Sequence, residues 1–190
     1  MDQITKLVQI RGKELNKKIC VVTGNRAEYS LLRRLILTIN ADKDLELKLI
    51  VTGSHLSNRH SDSLKEILKD GLKIDEFVHM QMDSDIPETI GISAGLGLIG
   101  ITNVLSRIRP DLVVLLGDRF EILSAAQSCM YMSIPIAHLH GGEATFGVMD
   151  EAIRHSITKM SHIHFVSTEA YKNRVMQLGE EEKKWIIPIL

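Results

Sequence analysis

The sequence is short of aromatic residues, of cysteine and of any surplus charge. Phe, Trp and Tyr make up only 4% of it, so Ile, Leu, Val, Ala and Met must build any core from a 44% apolar share. Cys20 and Cys129 lie in apolar segments without CxxC spacing. That pattern argues against a disulfide or a cysteine metal site and reads as two reduced, buried thiols. Lys plus Arg (23) nearly balance Asp plus Glu (24). With no basic excess and no basic stripe interleaved with aromatics, nucleic-acid binding is not expected. No run approaches the ~20 unbroken apolar residues of a bilayer span, and residues 1–16 lack the apolar core of a secretory signal. The expectation is a cytoplasmic protein with no membrane partner. The least polar stretch, Ile90 to Val104, is punctuated by Gly91, Gly95, Gly97 and Gly100. It reads as a close-packed internal helix or a mobile loop-helix.

What is present alternates short apolar runs with longer amphipathic ones. Strands are expected at Lys18–Thr23, Leu45–Thr52, Ile74–His79, Asp111–Leu116, Ile134–His138 and His164–Ser167. Helices are expected at Tyr29–Ile39, Ser61–Lys69, Arg119–Tyr131, Asp150–Met160 and Glu169–Leu178, with a last apolar run over Trp185–Leu190. Strands alternating with helices imply βαβ units, and unbroken apolar strands imply a parallel sheet covered on both faces. The fold class is therefore α/β, Rossmann-like. A chain of 190 residues suits one domain or half of a two-domain enzyme. Residues 1–16 read as an N-terminal extension and 17–190 as the domain.

Ligands of open parallel sheets gather beyond the carboxyl ends of the strands. Here those ends open into Gly24-Asn25-Arg26, Gly53-Ser54-His55, Gly117-Asp118-Arg119 and His138-Leu139-His140-Gly141-Gly142-Glu143. Glycine beside titratable groups at four strand ends describes a rim, and the rim reads as a site. Gly24-Asn25-Arg26 precedes a helix, where free N–H groups favour an anion, and Arg26 could clamp a phosphate or pair with Glu28. The turn is neither GxGxxG nor a P-loop. Asp118 can act at the mouth of its strand or cap the following helix. Glu121, one turn on, reads as a solvated or structural pair. The richest stretch holds His138, His140, Glu143, Asp150, Glu151, Arg154 and His155, material for general acid/base chemistry. Arg154 and His155 could orient the carboxylates a turn before them. No metal is expected, since HExxH and cysteine clusters are absent. His162 and His164 read as packing residues, and the methionines as core filler.

On these residues the sequence resembles the UDP-N-acetylglucosamine 2-epimerases, especially the hydrolysing branch of sialic- and legionaminic-acid type pathways. The matching stretches are Val22-Thr23-Gly24-Asn25-Arg26-Ala27-Glu28-Tyr29, Val51 to Leu56, Gly117-Asp118-Arg119, His138 to Glu143, and Asp150-Glu151-Ala152-Ile153-Arg154-His155 through Lys159. They fall in family order within about residues 17 to 180.

The resemblance implies a GT-B arrangement of two Rossmann-like domains with a UDP-sugar between them, of which this chain carries the first. The C-terminal, UDP-binding domain, with its HPxTT-like and GNSSxGxxE-like segments, lies outside the sequence. It also implies anti elimination of UDP to a 2-acetamidoglucal, followed by addition of water to give the 2-epimeric free sugar, without a cofactor. The family's acid/base positions fall on Asp118, His140 and Asp150; where many relatives carry Glu, this chain has His140, so either His140 or Glu143 fills the middle role. Gly24, Arg26, His55, Arg119, Arg154 and His155 are the expected substrate contacts. A homo-oligomer is expected, and the isolated chain is expected to be inactive. Other readings are the non-hydrolysing branch, a non-catalytic interaction module and a glycosyltransferase of similar architecture.

Overall fold

A computed structural model describes residues 17–57, 61–82, 84, 86–181 and 186–188; the expected N-terminal extension, and Trp185, Ile189 and Leu190 of the last apolar run, lie outside them. Seven parallel strands form one sheet in the order β3-β2-β1-β4-β5-β6-β7: β1 Lys17–Thr23, β2 Leu45–Thr52, β3 Glu76–Val78, β4 Leu112–Leu116, β5 Ile136–Leu139, β6 Ile163–Val166 and β7 Ile186–Pro188. The helices between them are α1 Arg26–Ala41, α2 Ser61–Lys69, α3 Pro87–Ile108, α4 Phe120–Tyr131, α5 Met149–Met160 and α6 Glu169–Gln177, with a 3₁₀ turn over Gly53–Leu56.

The strand period of two divides the core. Ile19 and Val21 of β1, Leu49 and Val51 of β2, and Leu112, Val114 and Leu116 of β4 face α1 and α2 through Tyr29, Leu32, Ile36, Ile39 and Ile67. The intervening Cys20, Val22, Ile50, Val113 and Leu115 face α3, α4 and α5 through Ile101, Leu105, Ile122, Ala125, Ile153 and Ile157. Cys20 and Cys129 are both buried and unbridged in this second layer. Apolar residues on both strand faces are what burial beneath two helical layers requires.

The glycine-broken segment is one helix, α3, four residues longer at its C-terminal end than the apolar stretch suggested. Among the described residues it is the one helix long and apolar enough to cross a membrane by length and composition. Here it lies against α4, where Ser124 and Ser128 donate to the carbonyls of Ala94 (2.9 Å) and Leu98 (3.2 Å). It is not fully internal: Ile92, Leu96 and Ile99 stand on an exposed face.

β1 and β4 are neighbours, yet the chain leaves them in opposite directions across the sheet. Their carboxyl ends form the switch point at which such folds take ligands.

Candidate active site

The rim has two halves of different character. On the β1/β2 side the polar groups satisfy one another. The Gly24 N–H donates to Glu28 Oε2 (2.7 Å), Asn25 Nδ2 donates to Glu28 Oε1 (2.6 Å), and Asn25 Oδ1 caps α1 through the Glu28 N–H (3.0 Å). One N–H of this turn, that of Gly24, is thus taken by a buried carboxylate. Burial first, then the nearby Glu121 charge, push Glu28 up to about 8. Arg26 points to solvent, 70% exposed, and pairs with Glu66 of α2 (2.6 Å) rather than with Glu28. His55 is buried, with Thr23 Oγ1 3.0 Å from Nε2 and Ser63 Oγ 2.9 Å from Nδ1. Both ring nitrogens are occupied, and burial lowers its pKa to about 4. Gly24 and His55 are thus bonded to neighbours of their own, and Arg26 stands at the surface on Glu66.

The β4/β5 side is gathered by one cation. Arg154, buried in α5, pairs with the Asp118 carboxylate from the end of β4. Its other bonds reach the Glu143 carbonyl (2.8 Å), Thr145 Oγ1 (3.0 Å) and Glu151 Oε2 (3.2 Å). Four of the five guanidinium N–H groups can thus be used in a fork that a lysine could not reproduce. Asp118 is not the helix cap: Arg119 is the cap residue of α4, and its side chain makes no capping bond. Glu151 also accepts the Thr145 N–H (2.6 Å), which holds it below the usual carboxylate range, and lies 3.2 Å from His155 Nε2.

The two histidines at the end of β5 are placed differently, because His138 is in the strand while His140 lies just beyond it with a left-handed backbone. His138 is buried, with Nε2 2.8 Å from the Gly117 carbonyl, and burial lowers it to about 4. It fixes the β4 exit. His140 adopts a left-handed backbone (φ +63°) and is half-buried, with Nδ1 2.7 Å from Glu143 Oε1. Glu143 also accepts from Ser167 Oγ (3.1 Å). A carboxylate oxygen accepts, so the proton of this bond is the Nδ1–H of His140, and Nε2 faces away from Glu143.

The loop after β5 is seated on α6. Gly142 (φ +78°) lies so close that a Cβ there would stand 2.3 Å from the Tyr171 carbonyl oxygen, and its own carbonyl accepts from Arg174 Nη1 (2.6 Å). Thr145, Ser167 and Arg174 hold this network together and are not among the residues singled out in the sequence. Local pattern carried no signal for them, since each acts on a residue distant in sequence.

Beside this network opens a pocket of about 150 Å³ lined by Gln81, Met82, Ser84, Ile90, Ser93, Arg119, Phe120, Met149 and Asp150. Arg119 and Asp150 share it; Gly24, Arg26 and His55 are not part of its wall. Among the described residues no cluster of His, Cys, Asp or Glu could hold a metal ion.

Residues 37–187 match the family model described as UDP-N-acetylglucosamine 2-epimerase. The chain is 48% identical over 168 residues to the GDP/UDP-N,N'-diacetylbacillosamine 2-epimerase (hydrolyzing) of Campylobacter jejuni, covering 88% of this chain and 44% of that protein. It is 40% identical over 167 residues to the UDP-N,N'-diacetylbacillosamine 2-epimerase (hydrolyzing) of Legionella pneumophila, again covering 88% and 44%. The Methanocaldococcus jannaschii UDP-GlcNAc 2-epimerase, solved with UDP-GlcNAc and UDP, superposes with a TM-score of 0.79 at 25% identity, over 90% of this chain and 46% of that one. The chain thus spans less than half the length of the relatives it matches.

Proposed function

The chain belongs to the UDP-N-acetylglucosamine 2-epimerase family, and from that premise we propose that it supplies the acid/base side of a hydrolysing 2-epimerase acting on a UDP-activated 2-acetamido sugar. The observation that supports this most is the Arg154 network. One buried guanidinium draws Asp118 of the β4 end, the loop after β5 and the first turn of α5 to one place, beside the pocket shared by Arg119 and Asp150.

In this reading Asp118, Asp150 and the His140–Glu143 pair remove and return the proton at C2. We read the middle role as shared by the two: Glu143 orients the ring, and Nε2 of His140 exchanges the proton. Loss of the C2 proton and of UDP from C1 leaves a C1–C2 double bond. Water then adds, its hydroxyl to C1 and a proton to C2 from the other face. The fixed charges of Arg119 and Arg154, with His155 beside Glu151, favour the developing negative charge of the leaving diphosphate. The hydrolysing branch and a diacetamido substrate are supported by the names of the two bacterial relatives. The uridine is held by a second Rossmann-like domain, which in those relatives would fall in the length this chain does not match.

The test is complementation. The chain is mixed with the C-terminal part of the Campylobacter relative, and UDP release and sugar products are followed by NMR from UDP-GlcNAc and its 2,4-diacetamido counterpart. UDP and a 2-epimeric free sugar are expected from the mixture. Release of UDP with unchanged configuration at C2 would contradict the reading.

A further inference from the structure

Glu121 lies in the first turn of α4, where exposure to solvent would be ordinary, yet it is only 1% exposed. Its Oε1 accepts from Arg119 Nε at 2.8 Å, while Oε2 is buried with no hydrogen-bond partner among the described residues. A carboxylate oxygen left in that state opposes folding unless the position serves something else. Backbone glycine makes the seat. A Cβ on Gly24 would stand 2.5 Å from Glu121 Cγ and 2.8 Å from Oε1, and one on Gly53 would stand 3.2 Å from the same oxygen. The ends of β1 and β2 are therefore shaped to receive a side chain from α4.

What the seat holds in place is Arg119. Its guanidinium is gripped side-on through Nε and lies 6.0 Å from the centre of the Phe120 ring. The hydrogen bonds of the described residues use neither terminal nitrogen of Arg119, and the side chain forms part of the pocket wall with Asp150. The groups that face this pair are Glu28 from α1 and Asp150 from α5. Burial first, and then the Glu121 charge, raise the Glu28 pKa to about 8. Glu121 is the carboxylate within hydrogen-bond distance of Arg119.

We propose that Glu121 is a positioning residue: its buried carboxylate, seated against Gly24 and Gly53, fixes Arg119 at the pocket wall with both terminal nitrogens free for the anionic part of the substrate. The functional half of this inference rests on the reading of the pocket as the sugar-nucleotide site. The structural half does not, so the two can fail separately.

The structural half is read by ¹H–¹⁵N NMR of the chain at pH 7. A slowly exchanging Nε–H is expected from Arg119, identified by its disappearance in Arg119→Lys. Its exchange should be at least tenfold faster in Glu121→Gln, near wild type in Glu28→Gln and partly restored in Glu121→Asp, while the thermal midpoint of Glu121→Gln does not fall. An unprotected Nε–H in the wild type, or equal protection in Glu121→Gln, would overturn the proposal. So would a lowered midpoint without loss of protection, the mark of a merely structural pair. If Glu121→Gln does not fold, Glu121→Met reads the same resonance. The functional half is read in the complemented enzyme, where Arg119→Ala and Glu121→Gln should each raise KM and lower kcat, with kcat/KM falling at least tenfold. An effect of Arg119→Ala alone rejects Glu121 as the positioning group. An effect of neither rejects the pocket as the substrate site and leaves the NMR result to decide the rest.

Discussion

The two halves of the rim are written in the same residue types and fold into opposite things. At the β1 and β2 ends, glycine stands beside Glu28 and His55, and every one of these groups is turned inward on a neighbour. At the β4 and β5 ends, glycine stands beside Asp118, His140 and Glu143, and these are tied to Arg154 and to each other while remaining partly open to solvent. The difference lies in where the cation sits. The closed half has no internal arginine: Arg26 is out in solvent on Glu66. The open half has one buried at its centre, and Asp118 and Glu151 reach it while remaining partly exposed.

The comparison breaks most visibly at that cation. Replacing Arg154 by Met leaves Asp118, Glu151 and the Glu143 carbonyl without their shared donor. Denaturant unfolding should show a loss of about 3–5 kcal/mol, the usual result of removing one partner of a buried pair. Gly142→Ala is the next largest. The Cβ would meet the Tyr171 carbonyl and adopt an unfavourable positive φ, so a cost of about 2–3 kcal/mol and a displaced Glu143 are expected. A Gly142→Ala protein as stable as wild type would show that the loop is not seated on α6.

On the closed half, His55→Gln should cost about 1–3 kcal/mol at pH 7 and leave the KM of the complemented enzyme unchanged. Its pH behaviour carries a sign. The folded pKa of His55 is lowered from 6.5 to about 4, so its contribution is present above 6.5 and is lost as pH falls towards 4. Glu28 runs the other way: raised from 4.5 to about 8, its contribution is full below 4.5 and is lost as pH climbs to 8. Stability measured from pH 4 to 9 should therefore lose its acid-side slope in part in His55→Gln, with His138 supplying the remainder. Glu28→Gln should lose the alkaline-side slope. The smallest effect is expected from Arg26→Ala, under about 1 kcal/mol for an exposed pair, with no change in KM. A tenfold rise in KM there would return the β1 turn to the substrate site.

The fold was almost wholly legible. Unbroken apolar strands and the 3.6-residue helical period located the seven strands and five of the six α-helices to within a few residues, β2 and α2 at their observed bounds, while the 3₁₀ turn over Gly53–Leu56 was not expected. Periodicity is a local property, and a sequence displays it directly. The extent of α3 was harder to read, because its glycines resemble breaks; Gly97 and Gly100 instead bring the helix close to Met80 and Val78. The site was legible as a list of residue types at strand ends, but not as a set of partners. Asp118 and Arg154 lie 36 residues apart, Gly142 and Arg174 lie 32 apart, and no spacing rule joins them. Glu121 read as a solvated or structural pair and Glu28 as a possible partner of Arg26, because nothing local announces that two glycines have left room for a carboxylate. Sequence shows which groups reach the rim; only the fold shows whether each one finds an internal partner first.

The central claim is that the open half of the rim moves the proton at C2. The direct measurement is turnover of a UDP-2-acetamido sugar by the complemented enzyme in heavy water, with the product examined by NMR. One deuterium at C2 of the 2-epimeric sugar is predicted with the wild-type chain, and a rate at least ~10³-fold lower with Asp118→Asn. Product that keeps its C2 hydrogen, or full deuterium exchange at an unchanged rate in Asp118→Asn, would contradict the account.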